Sequence, residues 1–403
     1  MALDLTTFAS ALKAHYTNDT VENMVYMDNP TLAMVSKMED FGGKNLPIPI
    51  IYGNPQGRSA SFQNAQANKT SSKLKDFVLT RAKDYSLASI DNETIEASKG
   101  NANAFMEAAT TEIDGAINSA ARSLAIAMFG NGSGSIGQVD ASTVLTTSTI
   151  QLKAVESVTN FEVGQTLVVS STDGTGTVRA GTALITGVDR DLGQITVSAP
   201  LNTAIVAIAS QDYIFVQGDY AAKIKGFAAW LPAVAPAPGD NFFSVDRSAD
   251  ATRLGGIRFD GTAQPIEEAL IGAASRVARE GGKPTHCVMS YDKFSQLEKE
   301  LGTKVRYMDL KVTNFIGFRG IQVNGPRGII TVYADQNCPT AVAYMLQMDV
   351  WKLYSLGKAP KILDTDGLKM LRDSNADSVE IRVGYYAQMG CRAPGFNARI
   401  KLV

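Results

Sequence analysis

Apolar positions recur three or four residues apart from Ala102 to Phe129, at Phe105, Ala109, Ile113, Ile117, Ala120, Leu124 and Met128, and Gly130 follows as a C-terminal stop. The spacing predicts one long helix, a rod of about 40 Å at the usual helical rise. Its alanines allow close approach to a sheet or to another helix. A second helical pattern carries Ile266, Leu270, Ala273 and Val277, with Pro265 as first helical position, Glu267 and Glu268 in the first turn, and Gly281 and Gly282 at the end. Ser290 is placed to cap a third helix, through Phe294 and Leu297 to Leu301. Around these, strand patterns fall at 285–289, 321–323, 329–333, 341–346 and 351–354, and then at 379–383 and 398–402, the last two with one face wet.

Between residues 139 and 220 the character changes to short strand candidates at 143–152, 165–170, 183–188, 194–198 and 213–217, punctuated by Gly and Asp. This predicts a small β-barrel or sandwich inserted in the chain, with 221–238 as an irregular connection back. Residues 1–41 read as a partly helical arm, with Leu5, Phe8, Leu12 and His15 at helical spacing and a break at Asn29-Pro30. Asp91 to Glu96 reads as a helix start that Gly100 interrupts.

The stretch 42–90 fits neither period for most of its length. It holds Pro47, Pro49, Pro55, Gly53 and Gly57, a polar run over 58–73, and strand-like segments at 46–52 and 77–85. So long an excursion inside a compact domain is ordered by something outside that domain, or is functional, or is disordered. The reading is a two-stranded arm laid on a neighbouring subunit. Its contact candidates are Arg58, Phe62, Lys69, Lys73 and Lys75.

Charge sharpens that picture. The chain of 403 residues has 45% hydrophobic and 19% charged residues and a net charge of -2, which argues against a generic nucleic-acid binder. From 44 to 84 there are seven cations, Lys44, Arg58, Lys69, Lys73, Lys75, Arg81 and Lys83, against Asp76 and Asp84. From 140 to 219 eight carboxylates face Lys153, Arg179 and Arg190 alone. Such asymmetry gives two readings, a basic arm docking on acidic surface of another copy or a solvated loop beside a solvated acidic domain. Cys287, Cys338 and Cys391 are widely spaced and odd in number, as expected of reduced thiols used as small apolar residues. No basic leader or membrane-length apolar run is present, so no export and no membrane partner is expected.

Catalytic patterns are weak. The two histidines, His15 and His286, have no neighbours arranged for metal or base chemistry, and His286 lies in an expected buried strand. Gly132-Ser-Gly-Ser-Ile-Gly137 satisfies the dinucleotide spacing but inverts its context, with a helix before it and strands after, so it reads as a flexible hinge. Single-strand nucleic-acid binding by Phe62 among Lys69, Lys73 and Lys75 would need more aromatics. No cofactor and no enzyme activity are expected.

The order of these parts resembles the major capsid proteins of tailed bacteriophages. The resemblance is carried by 46–52 and 77–85 as strands of an extended loop, by 103–130 as a spine helix, by 320–354 as axial strands, and by 378–402 as strands completing a peripheral sheet. It implies an α+β fold with an N-terminal arm (1–41), an extended two-stranded loop (42–90), a spine-helix segment of a peripheral domain (91–138), an inserted all-β domain (139–220), an axial α/β domain (221–360) and C-terminal peripheral strands (361–403). The implied function is a structural subunit of an icosahedral head around double-stranded DNA, assembling as hexamers and pentamers in the host cytoplasm. The implied partners are further copies of the chain, a separate scaffolding protein, a portal protein and a decoration protein. Some relatives cross-link a loop Lys to an Asn of the next subunit; Lys69 or Lys73 and Asn375 stand where that would occur. Two alternatives remain at this point: a tail or baseplate structural protein, and a cytoplasmic enzyme built on 264–360.

Overall fold

The computed structural model describes residues 29–92, 102–302, 307–312, 316–364, 367, 371–372 and 377–402, with the side chains of 102–112 and 307–319 outside the description. The expected helical patterns at 1–28 and 93–101, and Asn375, therefore lie outside the described residues. The fold is mixed α+β, and the chain forms two units, one of Met1–Ala125 with Leu231–Val403 and one of Ile126–Trp230.

The first unit holds two large sheets. One is built around Ser378–Cys391, which pairs along one edge with Ala82–Asp91 and along the other with Trp351–Ser355, Lys361–Ile362 and Leu371–Arg372; Ser36–Met38 adds in parallel to Trp351–Ser355. The other runs Ile257–Asp260, Ala398–Lys401, Val342–Leu346, His286–Met289, Gly328–Ala334, Ile316–Gly325, Tyr307–Val312. Two expectations about sheet membership are corrected here. Trp351–Ser355 leaves the α/β sheet for the first one, and Ala398–Lys401 does the reverse. The crossing is organised by Asn397, fully buried, whose Oδ1 accepts from the Trp351 indole and the Gln347 amide at 2.8 Å each while its Nδ2 donates to the Ala393 carbonyl at 2.9 Å. The wet face expected for 379–383 is present, since Val379, Ile381 and Val383 are buried while Glu380 is half-buried and Arg382 exposed; the remainder of Ser378–Cys391 is mostly buried on both faces.

The long helix spans Ala102–Phe129 as its period requires, and its described stripe Ile113, Ile117, Ala120 and Leu124 is buried. Ser123 Oγ donates to Asp84 Oδ2 at 2.5 Å, and the Tyr385 hydroxyl donates to the same oxygen at 3.2 Å, which fastens the helix to the first sheet. The helices Ile266–Arg279 and Tyr291–Leu301 cover the second sheet, packing Leu270, Ala273, Val277 and Leu297 on Cys287, Met289, Val332 and Ile400. Pro265 stands at the N-cap rather than inside the first turn, while Ser290 Oγ accepts from the Lys293 amide as a cap should. The three thiols are all buried, and burial raises their pKa.

The second unit is a six-stranded barrel. Its order is Ser135–Gln138, Tyr213–Val216, Thr166–Ser170, Ala183–Asp189, Gln194–Val197, Thr149–Gln151, and the Val139 to Leu152 bridge joins the last strand to the first. Its core includes Val139, Ile150, Leu167, Val169, Ile185, Ile195 and Ile214. The strand expected over 143–152 shortens to Thr149–Gln151, since Asp140 Oδ1 accepts from the Ser142 amide and turns the chain before it. Gly132 to Gly137 is no flexible hinge. Ser135–Gln138 is a barrel strand, and Gly134, at φ +83°, passes so close to Asp219 that a Cβ would sit 2.3 Å from its carbonyl oxygen. Where the chain enters and leaves the barrel, the Gly226 amide donates to the Gly130 carbonyl at 3.1 Å.

A candidate interaction surface on the extended hairpin

Strands Asn45–Gly53 and Lys73–Thr80 form a separate two-stranded sheet with Ile48 opposite Phe77 and Ile51 opposite Leu74. The expected second strand, 77–85, is thereby corrected to two strands in different sheets. The change of sheet falls at Arg81, whose guanidinium donates to the Phe41 carbonyl at 2.5 Å and stacks 4.9 Å from the Phe41 ring centre. A second correction concerns independence. Ile48, Ile50, Phe77 and Leu79 are buried, so the base of the hairpin folds on its own subunit.

The socket for that base is a tight hairpin, Asn241–Phe242 with Val245–Asp246, whose two loop residues Phe243 and Ser244 both adopt positive φ, +46° and +67°. A two-residue turn of this kind is usually made by Asn and Gly, so the non-glycine residues carry strain, which is retained where the surroundings over-determine it. Here the surroundings are the arm. The Val78 amide donates to the Phe243 carbonyl at 3.0 Å, and Phe77 meets Phe242 edge-on at 6.1 Å between centroids. Arg247, buried and paired with Asp240 at 3.0 Å, lies 4.3 Å over the Phe242 ring; burial lowers its pKa, and Asp240 opposes that shift. Farther out, Arg253 donates to the Tyr52 carbonyl at 2.7 Å.

Because Val78 spends its N–H on Phe243, the pairs Pro47 with Val78 and Pro49 with Asp76 are those that exchange no hydrogen bonds across the hairpin. The two prolines thus occupy the outer edge of Asn45–Gly53, where a further strand would find two N–H donors missing. The edge is closed to strand addition. The outward face is open: Ile51 and Leu74, opposite one another, are 63% and 53% exposed.

Beyond Gly53 the polar run is not featureless, since Phe62–Ala67 is a short helix. The hydrogen bonds recorded for the tip stay within it, including the Gln56 amide to Thr70 Oγ1 at 2.8 Å and the Ala65 amide to the Ser61 carbonyl at 2.9 Å. All five candidate residues belong to this arm. Arg58, Phe62 and Lys69 sit on the tip, Lys73 and Lys75 on the second strand, and all are exposed, Phe62 at 82%. Sequence reasoning missed the socket at 241–246, because Phe-Ser is not a recognisable tight-turn pair.

The place where an α/β enzyme would bind its ligand is occupied by the chain itself. The parallel strands His286–Met289 and Gly328–Ala334 end side by side at Ser290 and Asp335, the carboxyl edge at which such sheets take ligands. Thr31 Oγ1 donates to the buried Asp335 Oδ2 at 2.5 Å, Thr31 also meets the Tyr333 hydroxyl at 3.3 Å, and the Asn337 amide donates to Asp335 Oδ1 at 2.9 Å. Burial pushes the Tyr333 hydroxyl pKa far up. His286 packs against Tyr333 edge-on and contacts Thr285 Oγ1 at 2.9 Å, and burial lowers its pKa. Among the described residues no group of three His, Cys, Asp or Glu side chains could hold a metal, and no helix is long and apolar enough to cross a membrane.

No protein-family model and no curated protein matches the chain. Among solved structures it is similar to a chain of the cyanophage A-1(L) capsid asymmetric unit, at 12% identity, TM-score 0.49 and 92% coverage of both chains. It is also similar to a chain of the capsid of an empty GTA particle, at 10% identity and TM-score 0.43 over 93% of this chain and 96% of that one. A third likeness is to the virus-like particle from Pyrococcus furiosus, at 6% identity and TM-score 0.39 over 95% and 96%. Superposition at this level does not fix a function, which has to come from the chain's own geometry.

Proposed function

We propose that this chain is a major capsid protein, the structural subunit that tiles hexamers and pentamers into the icosahedral head of a tailed bacteriophage around double-stranded DNA. The observation that carries the reading is the hairpin. Its base is anchored by Phe77 and Val78, its outer edge is closed by Pro47 and Pro49, and it carries exposed apolar residues at Ile51, Leu74 and Phe62. A folded arm that displays apolar and basic side chains without burying them gains its stabilisation from another copy. The long helix fastened to a sheet through Asp84, and a second sheet whose ligand edge is filled by Thr31, support a building block rather than a catalyst.

Heterologous contacts made by such arms generate closed rings when the rotation closes. A separate scaffolding protein would set the curvature of the shell, a portal protein would occupy one vertex, and a decoration protein would bind the outer surface. The residence is then the virion, after assembly in the host cytoplasm, with no cofactor. Negative-stain microscopy and sedimentation of the expressed protein test the reading: rings or shells are expected, and a uniform monomer at every concentration would overturn it.

A further inference from the structure

Residues 54–75 contain four cations and no carboxylate. Arg58, Lys69 and Lys73 are exposed and have no ion-pair partner among the described residues, and Phe62 between them is almost wholly in solvent. A surface with the opposite character lies on the barrel, at the turn joining Ala183–Asp189 to Gln194–Val197. There Asp189 Oδ1 accepts from the amides of Asp191 and Leu192 at 3.1 and 3.0 Å, and the Leu152 amide donates to the Gly193 carbonyl at 3.0 Å. Gly193, at φ +64°, lies so near the short helical turn Val155–Asn160 that a Cβ would be 2.9 Å from Val155 Cα.

This packing sets Val155 against Gly193, next in sequence to Leu192, and Leu192 and Val155 are 58% and 43% exposed. Glu156 follows Val155 in the chain, and Asp189 and Asp191 belong to the turn that carries Leu192; all three are exposed and without an ion pair among the described residues. The local cations are otherwise engaged: Arg190 is paired with Glu162 at 3.0 Å, and Lys153 Nζ donates to Gln138 Oε1 at 3.0 Å.

We infer that this acidic turn is the receptor for the hairpin tip of a second copy, with Phe62 seated on Leu192 and Val155 and with Arg58, Lys69 and Lys73 set against Glu156, Asp189 and Asp191. The inference rests on the assembly reading above. The occupant is a second copy because an exposed aromatic on a segment with cations and no carboxylate is complementary in charge and polarity to exposed apolar residues on a turn rich in carboxylates, and one chain carries both. The contact is smaller than the roughly 1,200 Å² of an interface that stands alone, so it operates between copies already held together elsewhere, at high effective concentration. The tip adds registration and salt-dependent strength.

The test is a double variant, Phe62→Cys with Leu192→Cys, in the full chain. The three native cysteines are buried, so the introduced thiols are the reactive pair under native conditions. After mild oxidation of sedimenting particles, a ladder of cross-linked oligomers is expected on a non-reducing gel. Phe62→Cys with Val206→Cys, another exposed barrel position, should give at least tenfold less. In the cysteine background, Lys69→Glu with Lys73→Glu should cut the cross-linking rate at least tenfold, and adding Asp189→Lys with Asp191→Lys should restore it. Particles that form without the ladder, or that yield only an internally cross-linked monomer, overturn the receptor and leave the assembly reading standing. Absence of particles from the wild-type chain overturns both.

Discussion

Phe77→Ala is the perturbation that most directly separates the folding of the hairpin from the folding of the body. Phe77 is fully buried, opposes Ile48 across the hairpin and meets Phe242 edge-on at 6.1 Å. Truncating a buried Phe to Ala costs about 3–5 kcal/mol. The edge-on aromatic pair accounts for about 0.5–1.5 kcal/mol beyond area burial. Such a loss cannot be recovered by collapse, because the strained Phe243-Ser244 turn beneath it already has both φ angles positive. At about 1.4 kcal/mol per tenfold, the loss corresponds to roughly 10²- to 10⁴-fold faster exchange of amides that open only with the hairpin. Hydrogen exchange read by mass spectrometry should therefore accelerate over 45–80 while His286–Met289 and Gly328–Ala334 keep their protection. Leu74→Ala, on the open face, should change stability by less than about 0.5 kcal/mol. Equal acceleration in the hairpin and the second sheet would show that the arm is part of the global folding unit. No acceleration anywhere would show that the Phe77 ring contributes nothing, and the anchored-base account would fall.

The remaining expectations concern the helix, the barrel and pH. Ile117→Asp places an unpaired carboxylate on the buried stripe of the long helix, at a cost of several kcal/mol, and should unfold the first unit in a thermal melt; Asn118→Asp, on the exposed side, should be mild, and equal effects would mean the helix face is misassigned. Deleting 132–224 and joining the Gly130 and Gly226 regions through a short Gly/Ser link should leave a folded remainder, since those two residues are already hydrogen-bonded; insolubility under all conditions would refute it. A cut at 140–219 would instead separate Ser135–Gln138 from its partner Tyr213–Val216. Gly226→Ala would drive a Cβ to 2.0 Å from the Met128 carbonyl oxygen and should lower the melting temperature measurably in calorimetry, an unchanged Tm counting against this packing. Because burial lowers the His286 pKa, the unfolded chain takes up a proton there first. Stability should therefore be full above pH 6.5 and fall as pH drops below it, and His286→Gln should flatten that slope in melts at stepped pH.

What the sequence determined by itself is everything set by a local period. The repeat from Ile113 to Met128 specifies a helix because each apolar residue falls on one stripe whatever it packs against, and the helix ends where Gly130 stands. Four of the six barrel strands and the cap at Ser290 are legible for the same reason, each depending on residues a few positions apart, whereas Ser135–Gln138 reads as a hinge and Thr149–Gln151 as part of a longer strand. Tertiary structure alone decided which sheet a strand joins. Trp351–Ser355 and Ala398–Lys401 have strand patterns that say nothing of their partners, and their exchange depends on Asn397 bonding to Gln347 and Trp351 fifty and forty-six residues away. It also decided that 77–85 breaks at Arg81, because the reason, the Phe41 carbonyl and ring, lies forty residues upstream. The arm was visible as a stretch that does not bury itself. That half of it is held by a strained Phe243-Ser244 turn was not, since backbone strain is sustained by the packing around it and leaves no period in the chain.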